Sequence, residues 1–110
     1  MDAGKLRQTL VWQYQPTGRD ASGAMTGDWT DGATVFAYIS PLSGSRFFAA
    51  LQSQSRVTHE IWMRYRTGVT TAMRLRLGSG DSARYFVPSA IIDVDERHEY
   101  LKVMAEEIVQ

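Results

Sequence analysis

Apolar residues return at every second position along most of this chain, and each such run is short before glycine, proline, serine or aspartate stops it. A period of two puts successive side chains on opposite faces of an extended strand, so the pattern commits the chain to a sheet. In "LRQTLVWQY", Leu6, Leu10, Trp12 and Tyr14 alternate with Arg7, Thr9, Val11 and Gln13, as in a half-buried strand. "TVFAYISP" restores β-branched and aromatic residues from Thr34 to Ile39 and stops at Pro41. In "RVTHEIWMRYRTGV", Val57, His59, Ile61, Met63 and Tyr65 form a core-like face, opposite Thr58, Glu60, Trp62, Arg64 and Arg66. That second face is no plain solvent surface, because it sets an indole beside two guanidinium groups, residue types that favour macromolecular contacts.

Met73, Leu75 and Leu77 alternate with Arg74 and Arg76 ahead of a "GSGD" hairpin turn. Tyr85, Phe86 and Val87 read as a short strand ending at Pro88, with "AIIDVD" as another. The tail "RHEYLKVMAEEIV" fits a strand through Leu101, Val103 and Ala105, and a helix through Tyr100, Leu101, Met104, Ala105 and Ile108. Six or seven short strands with turn signals between them predict a mainly β fold, a small antiparallel barrel or sandwich.

Two segments interrupt the strands. "QPTGRDASGAMTGDW" holds Pro16, Gly18, Gly23 and Gly27, a turn-residue density that predicts a loop or a long hairpin tip. In "LSGSRFFAALQSQSR", Phe47, Phe48 and Leu51 are spaced for a helix among serine and glycine flanks. This second segment predicts one inserted long loop or short helix, either plugging an end of the barrel or ordered by a partner.

A chain of 110 residues is expected to form one domain over 1–110 and to bury roughly 65% of the surface its unfolded form exposes. No apolar run approaches the ~18 residues of a membrane helix, and "MDAGKLRQTLVWQY" has no apolar block before a cleavage site, so a soluble, unexported chain with no membrane partner is expected. The absence of cysteine excludes disulfides, thiolate metal sites and a cysteine nucleophile. His59 and His98 are far apart in sequence and sit in no metal or nucleophile motif. Asp93, Asp95 and Glu96 in "IIDVDER" lack the glycine and terminal glutamate of a calcium loop; they are expected to end a strand and meet arginines within the subunit or on a neighbour. "GSGDSAR" lies between strands, which makes it no phosphate loop. Neither enzyme activity, nor a metal, nor a cofactor is expected.

The net charge is zero, but the charges are segregated. Arg46, Arg56, Arg64, Arg66, Arg74, Arg76 and Arg84 face only Glu60 and Asp81, a net +5, whereas Tyr85 to Gln110 carries −4. Opposite blocks on a neutral chain either cancel as solvated faces within the fold or allow copies to meet basic surface to acidic surface. Arginine outnumbers lysine ten to two, which favours paired, planar contacts over mere solubility.

In order and spacing, "LRQTLVWQYQ", "DASGAMTGDW", "VFAYISPLSGSRFFAALQSQSRVTHEIWMRYRTGV" and "MRLRLGSGDSARYFVPSAIIDVDERHEYLKVMAEE" resemble the phage head-tail adaptor family, also called head-closure or head-tail joining proteins. The resemblance spans nearly the whole chain. It implies a small β-barrel with an inserted long loop, and it favours the strand reading of "HEYLKVMAEE". It further implies a structural virion protein at the head-tail interface, assembled in the host cytoplasm, in which a connector ring joins the portal or adaptor to the tail. The implied partners are its own copies, dodecameric in the ring and monomeric in isolation, the portal or adaptor protein, and a tail-completion or tail terminator protein. Double-stranded DNA would pass through the lumen without sequence-specific binding. Trp62, Arg64, Arg66, Arg74 and Arg76, with Asp93, Asp95 and Glu96, are the candidate interface residues. Ser43, Gly44, Arg46, Phe47, Phe48, Leu51 and Gln52 are the candidate lumen or docking loop; its apolar residues fit docking as well as gating. Two other readings compete. One is a single-stranded nucleic-acid-binding barrel that stacks bases on Trp62, Tyr65 and Tyr85; the other is a tail-completion or minor tail protein.

Overall fold

The computed structural model of the chain describes residues 3–15, 18–19, 25–26, 29–42 and 57–108. Its strands are β1 (Gln8–Tyr14), β2 (Gly18–Arg19), β3 (Met25–Thr26), β4 (Thr30–Pro41), β5 (His59–Arg64), β6 (Arg74–Leu77), β7 (Arg84–Asp93) and β8 (Tyr100–Ile108). Six of them close into a barrel in the order β1-β4-β5-β8-β7-β6, with β6 returning to β1. Every neighbouring pair is antiparallel. The two-residue strands β2 and β3 pair with each other, within the segment whose turn residues predicted a loop or hairpin tip.

The alternating residues do what their period requires. Leu10, Trp12, Ala37, Ile61, Met63, Leu75, Phe86, Leu101, Val103 and Ala105 form one buried cluster inside the barrel. Val35, Ile39, Tyr65, Val69, Met73, Leu77 and Ile91 pack against it. The tail is a strand, with Leu101, Val103 and Ala105 inward, because β8 fills the place between β5 and β7. Ladder hydrogen bonds on both sides thus settle a segment whose own pattern fits two structures. Among the described residues, no helix is long and apolar enough to cross a membrane.

Three expectations are corrected. β4 begins at Thr30 rather than Thr34, because Tyr14 and Gln13 pair with Thr30 and Asp31 across an irregular rung. Gly32 lies in that irregularity, where an added Cβ would stand only 3.1 Å from the Trp12 carbonyl oxygen. Tyr14, read on the buried side, is 44% exposed at the end of β1. Pro88 does not end a strand, because β7 runs on from Arg84 to Asp93. Its register shifts between Pro88 and Ala90, a bulge that tolerates a residue without a backbone N–H. The segment 43–55, with its expected long loop or short helix, lies outside the described residues.

Candidate interaction surface

A closed barrel has no free edge on which to add a strand, so a partner must use its faces or ends. The outer face of β4, β5, β8 and β7 carries three exposed large apolar side chains, Phe36, Val87 and Ile92. There Tyr38 stands opposite Trp62, Trp62 opposite Lys102, and Lys102 opposite Ile92. The Lys102 ammonium sits 5.5 Å from the centre of the Trp62 ring, and the indole N–H donates to Glu60 Oε1 at 3.1 Å. Glu60 is only 6% exposed, although it points away from the barrel core. Phe36 is 65% exposed and Ile92 41%.

Beside Phe36 a cleft of about 350 Å³ opens, lined by Leu6, Thr34, Val35, Phe36, Arg64, Tyr65 and Arg66. The short 3-10 turn Ala3–Lys5 brings Leu6 to it, and the end of β5 brings the two arginines. Arg64 is exposed, while Arg66 is half-buried and its Nε is enclosed without a hydrogen-bond partner. This combination of apolar walls and guanidinium groups suits a ligand with an apolar side chain next to carboxylates.

The other arginines of β6 and β7 are engaged within the subunit. Arg74 lies between the rings of Trp29 and Tyr85, 4.4 and 4.1 Å from their centres, and its Nε donates to Gln13 Oε1 at 2.7 Å. Gln13 Nε2 donates to Asp31 Oδ1 at 2.8 Å, and Arg76 Nη1 donates to the same oxygen at 2.7 Å. These two hydrogen bonds hold the Asp31 carboxyl below the usual carboxylate range, whereas burial pushes the Arg74 guanidinium down. Arg84 grips Glu107 with both Nε and Nη2, at 2.7 and 2.9 Å, which lowers the Glu107 carboxyl and raises the guanidinium. His59 stands edge-on to Phe86, 5.2 Å between centres, and burial lowers its pKa. Glu107 N–H donates to Thr58 Oγ1, which is also hydrogen-bonded to His59 Nδ1 at 2.8 Å.

The predicted interface residues therefore divide. Arg64 and Arg66 line the cleft and Trp62 lies on the outer face of β5, whereas Arg74 and Arg76 are turned to partners of their own chain. Of the acidic group, Asp93 meets a histidine and not an arginine: its Oδ1 accepts the His98 backbone N–H at 3.0 Å and its Oδ2 lies 2.6 Å from His98 Nδ1. Asp95 and Glu96 remain exposed in the turn between β7 and β8. The residues Ser43, Gly44, Arg46, Phe47, Phe48, Leu51 and Gln52 lie outside the described residues. Of the expected base-stacking platforms, Tyr85 has the Arg74 guanidinium over its ring, and Tyr65 has His98 tilted against it with the ring centres 4.6 Å apart. No group of three or more metal-ligating side chains occurs among the described residues. Phe36 escaped notice in the sequence, although "TVFAYI" carries the signal: Val35, Ala37 and Ile39 already supply an inward face, which puts Phe36 and Tyr38 on the outward one.

Comparison with known proteins matches residues 1–108 to the family model described as phage head completion protein. Head completion protein gp7 of Enterobacteria phage HK97 is 30% identical over 80 residues, which is 73% of this chain and 71% of that one. In fold, the chain is similar to protein SF1141 from Shigella flexneri 2a, with a TM-score of 0.73 at 23% identity over 100% of this chain and 99% of that one. It is also similar to a chain in the virion of a native gene transfer agent particle, with a TM-score of 0.66 at 23% identity over 96% and 97%. The chain therefore belongs to the phage head completion protein family and thus to the structural proteins of phage particles.

Proposed function

We propose that this protein is the repeating subunit of a head-tail connector ring, a single domain over 1–110 that joins the portal or adaptor to the tail while double-stranded DNA passes through the lumen. The observation that carries this reading is the outer face of β4, β5, β8 and β7. A barrel whose core is already buried gains nothing for its own fold by leaving Phe36 and Ile92 outside. Exposed apolar side chains set among arginines mark a contact face for another macromolecule. Family membership supplies the setting, a phage particle. A ring subunit needs two different flanks, since head-to-tail packing places one surface of each copy on another surface of the next. No catalytic step enters the role; the protein acts by covering and being covered.

Sedimentation of the purified protein, alone and with portal-bearing capsids that lack it, tests this. Slow sedimentation alone, cosedimentation with capsids and a gain of tail-joining activity are the expected results. A protein that ignores such capsids, but binds single-stranded DNA with steep salt dependence, would sink the reading.

A further inference from the structure

Resting on the ring reading, we infer that the cleft beside Phe36 receives the turn between β7 and β8 of the next copy, with Asp95 and Glu96 of one subunit meeting Arg64 and Arg66 of its neighbour. These four are among the charged groups of the described residues that make no ion pair within the subunit. Arg74, Arg76 and Arg84 find acceptors on Gln13, Asp31 and Glu107. Arg64 and Arg66 find none, and Arg66 Nε is enclosed without an acceptor. Asp93 is engaged by His98, whereas Asp95 and Glu96 stand exposed with no cation.

The turn lies close to the cleft of its own chain, because Tyr65, which lines that cleft, packs against His98 with their rings tilted by 49°. The carboxylates of that turn nevertheless make no ion pair with Arg64 or Arg66, so the match is available to a second copy. It also extends beyond charge. The turn follows Ile92, an exposed aliphatic side chain, with two carboxylates three and four residues on. The cleft offers Phe36 and Leu6 beside two guanidinium groups.

The turn is held ready for such a contact. Asp95, Glu96 and His98 occupy the left-handed region, with φ of 56°, 53° and 57°. Asp93 fixes this shape by accepting the His98 backbone N–H. A preformed turn loses little conformational freedom on docking. A tip that enters a different surface of the next copy makes a heterologous contact, which propagates until a ring closes.

Charge exchange tests the pairing. Arg64→Glu with Arg66→Glu, and separately Asp95→Arg with Glu96→Arg, are each expected to lower the number of copies bound per portal-bearing capsid at least about tenfold, while all four changes in one chain return it to within roughly threefold of wild type. A control combines Arg64→Glu and Arg66→Glu with Asp81→Arg and Glu106→Arg, which restores the net charge but not the pairing, and it should stay defective. Circular dichroism establishes folding first; should Arg66→Glu unfold the chain, Arg64→Glu paired with Glu96→Arg carries the same comparison. The pairing is overturned if either reversal binds like wild type, if the four-change chain is no better than the pairs, or if the control rescues equally. Failure of the wild type to bind such capsids overturns the ring reading and this pairing with it.

Discussion

Arg74 shows how much a single side chain can do in a barrel of this size. It lies between two aromatic rings, donates to a buried glutamine, and through that glutamine reaches Asp31 and Arg76. Gln13 is 5% exposed, so removing its partner leaves a polar group enclosed and unpaired. Arg74→Ala is therefore expected to cost about 1–3 kcal/mol in urea unfolding, with a red shift of tryptophan fluorescence as Trp29 loses its cover. Arg74→Lys should recover less than half of that, since an ammonium cannot both lie flat between two rings and donate sideways to Gln13.

His59 and Glu107 make stability depend on acid in two steps. Burial lowers the His59 pKa below its usual 6.5, so the folded state favours the neutral ring. That contribution is complete above pH 6.5 and is lost as the pH falls towards the folded value. The grip of Arg84 lowers the Glu107 carboxyl below its usual 4.5, and this second contribution is lost only as the pH falls further. The urea midpoint of the wild type should drop between about pH 7.5 and pH 5.5, and that of His59→Gln should stay nearly flat across the same interval. An equal drop in the variant would assign the acid sensitivity elsewhere.

Among the elements, β7, like β4, is longer than its sequence pattern suggests. Phe86 and Pro88 point inward, then one extra residue shifts the phase so that Ile91 packs on the core and Ile92 faces out. Ser89 sits in this bulge and donates its hydroxyl to the Met104 carbonyl oxygen at 3.1 Å. Because a bulge is one residue more than the partner strand needs, deleting Ser89 preserves which side chains face the core. The deletion is expected to melt cooperatively, about 5–15 °C below wild type, as some barrel curvature is lost. Deleting Lys102 from the unbulged strand β8 reverses the facing of everything beyond it. That chain is expected to show no cooperative melt at all.

For the whole molecule, closure of the barrel separates two jobs that an open sheet would mix. The interior accounts for folding, and no unpaired barrel edge invites strand addition. The outer face is then free to be chosen for a partner. Phe36→Glu should change the unfolding free energy by no more than about 0.5 kcal/mol, as an exposed position does. The same change is expected to abolish cosedimentation with portal-bearing capsids. A variant that unfolds, or one that binds capsids normally, would remove Phe36 from the contact face.

The sequence by itself determined the mainly β architecture, the inward residues of most strands and the segregation of charge, because a strict period of two leaves one way to bury alternate side chains. It also placed Trp62 and Arg64 on the outward face of β5, since they are two residues apart on one strand. It did not contain the division of labour among the arginines. Arg64 and Arg74 look alike in sequence, and only closure of the barrel brings Gln13, Trp29 and Tyr85 from distant segments onto Arg74 while leaving Arg64 exposed. Tertiary structure likewise decided that β8 is a strand and that Pro88 sits in a bulge. Both depend on hydrogen-bond partners far along the chain, and no local pattern records where a distant carbonyl will be.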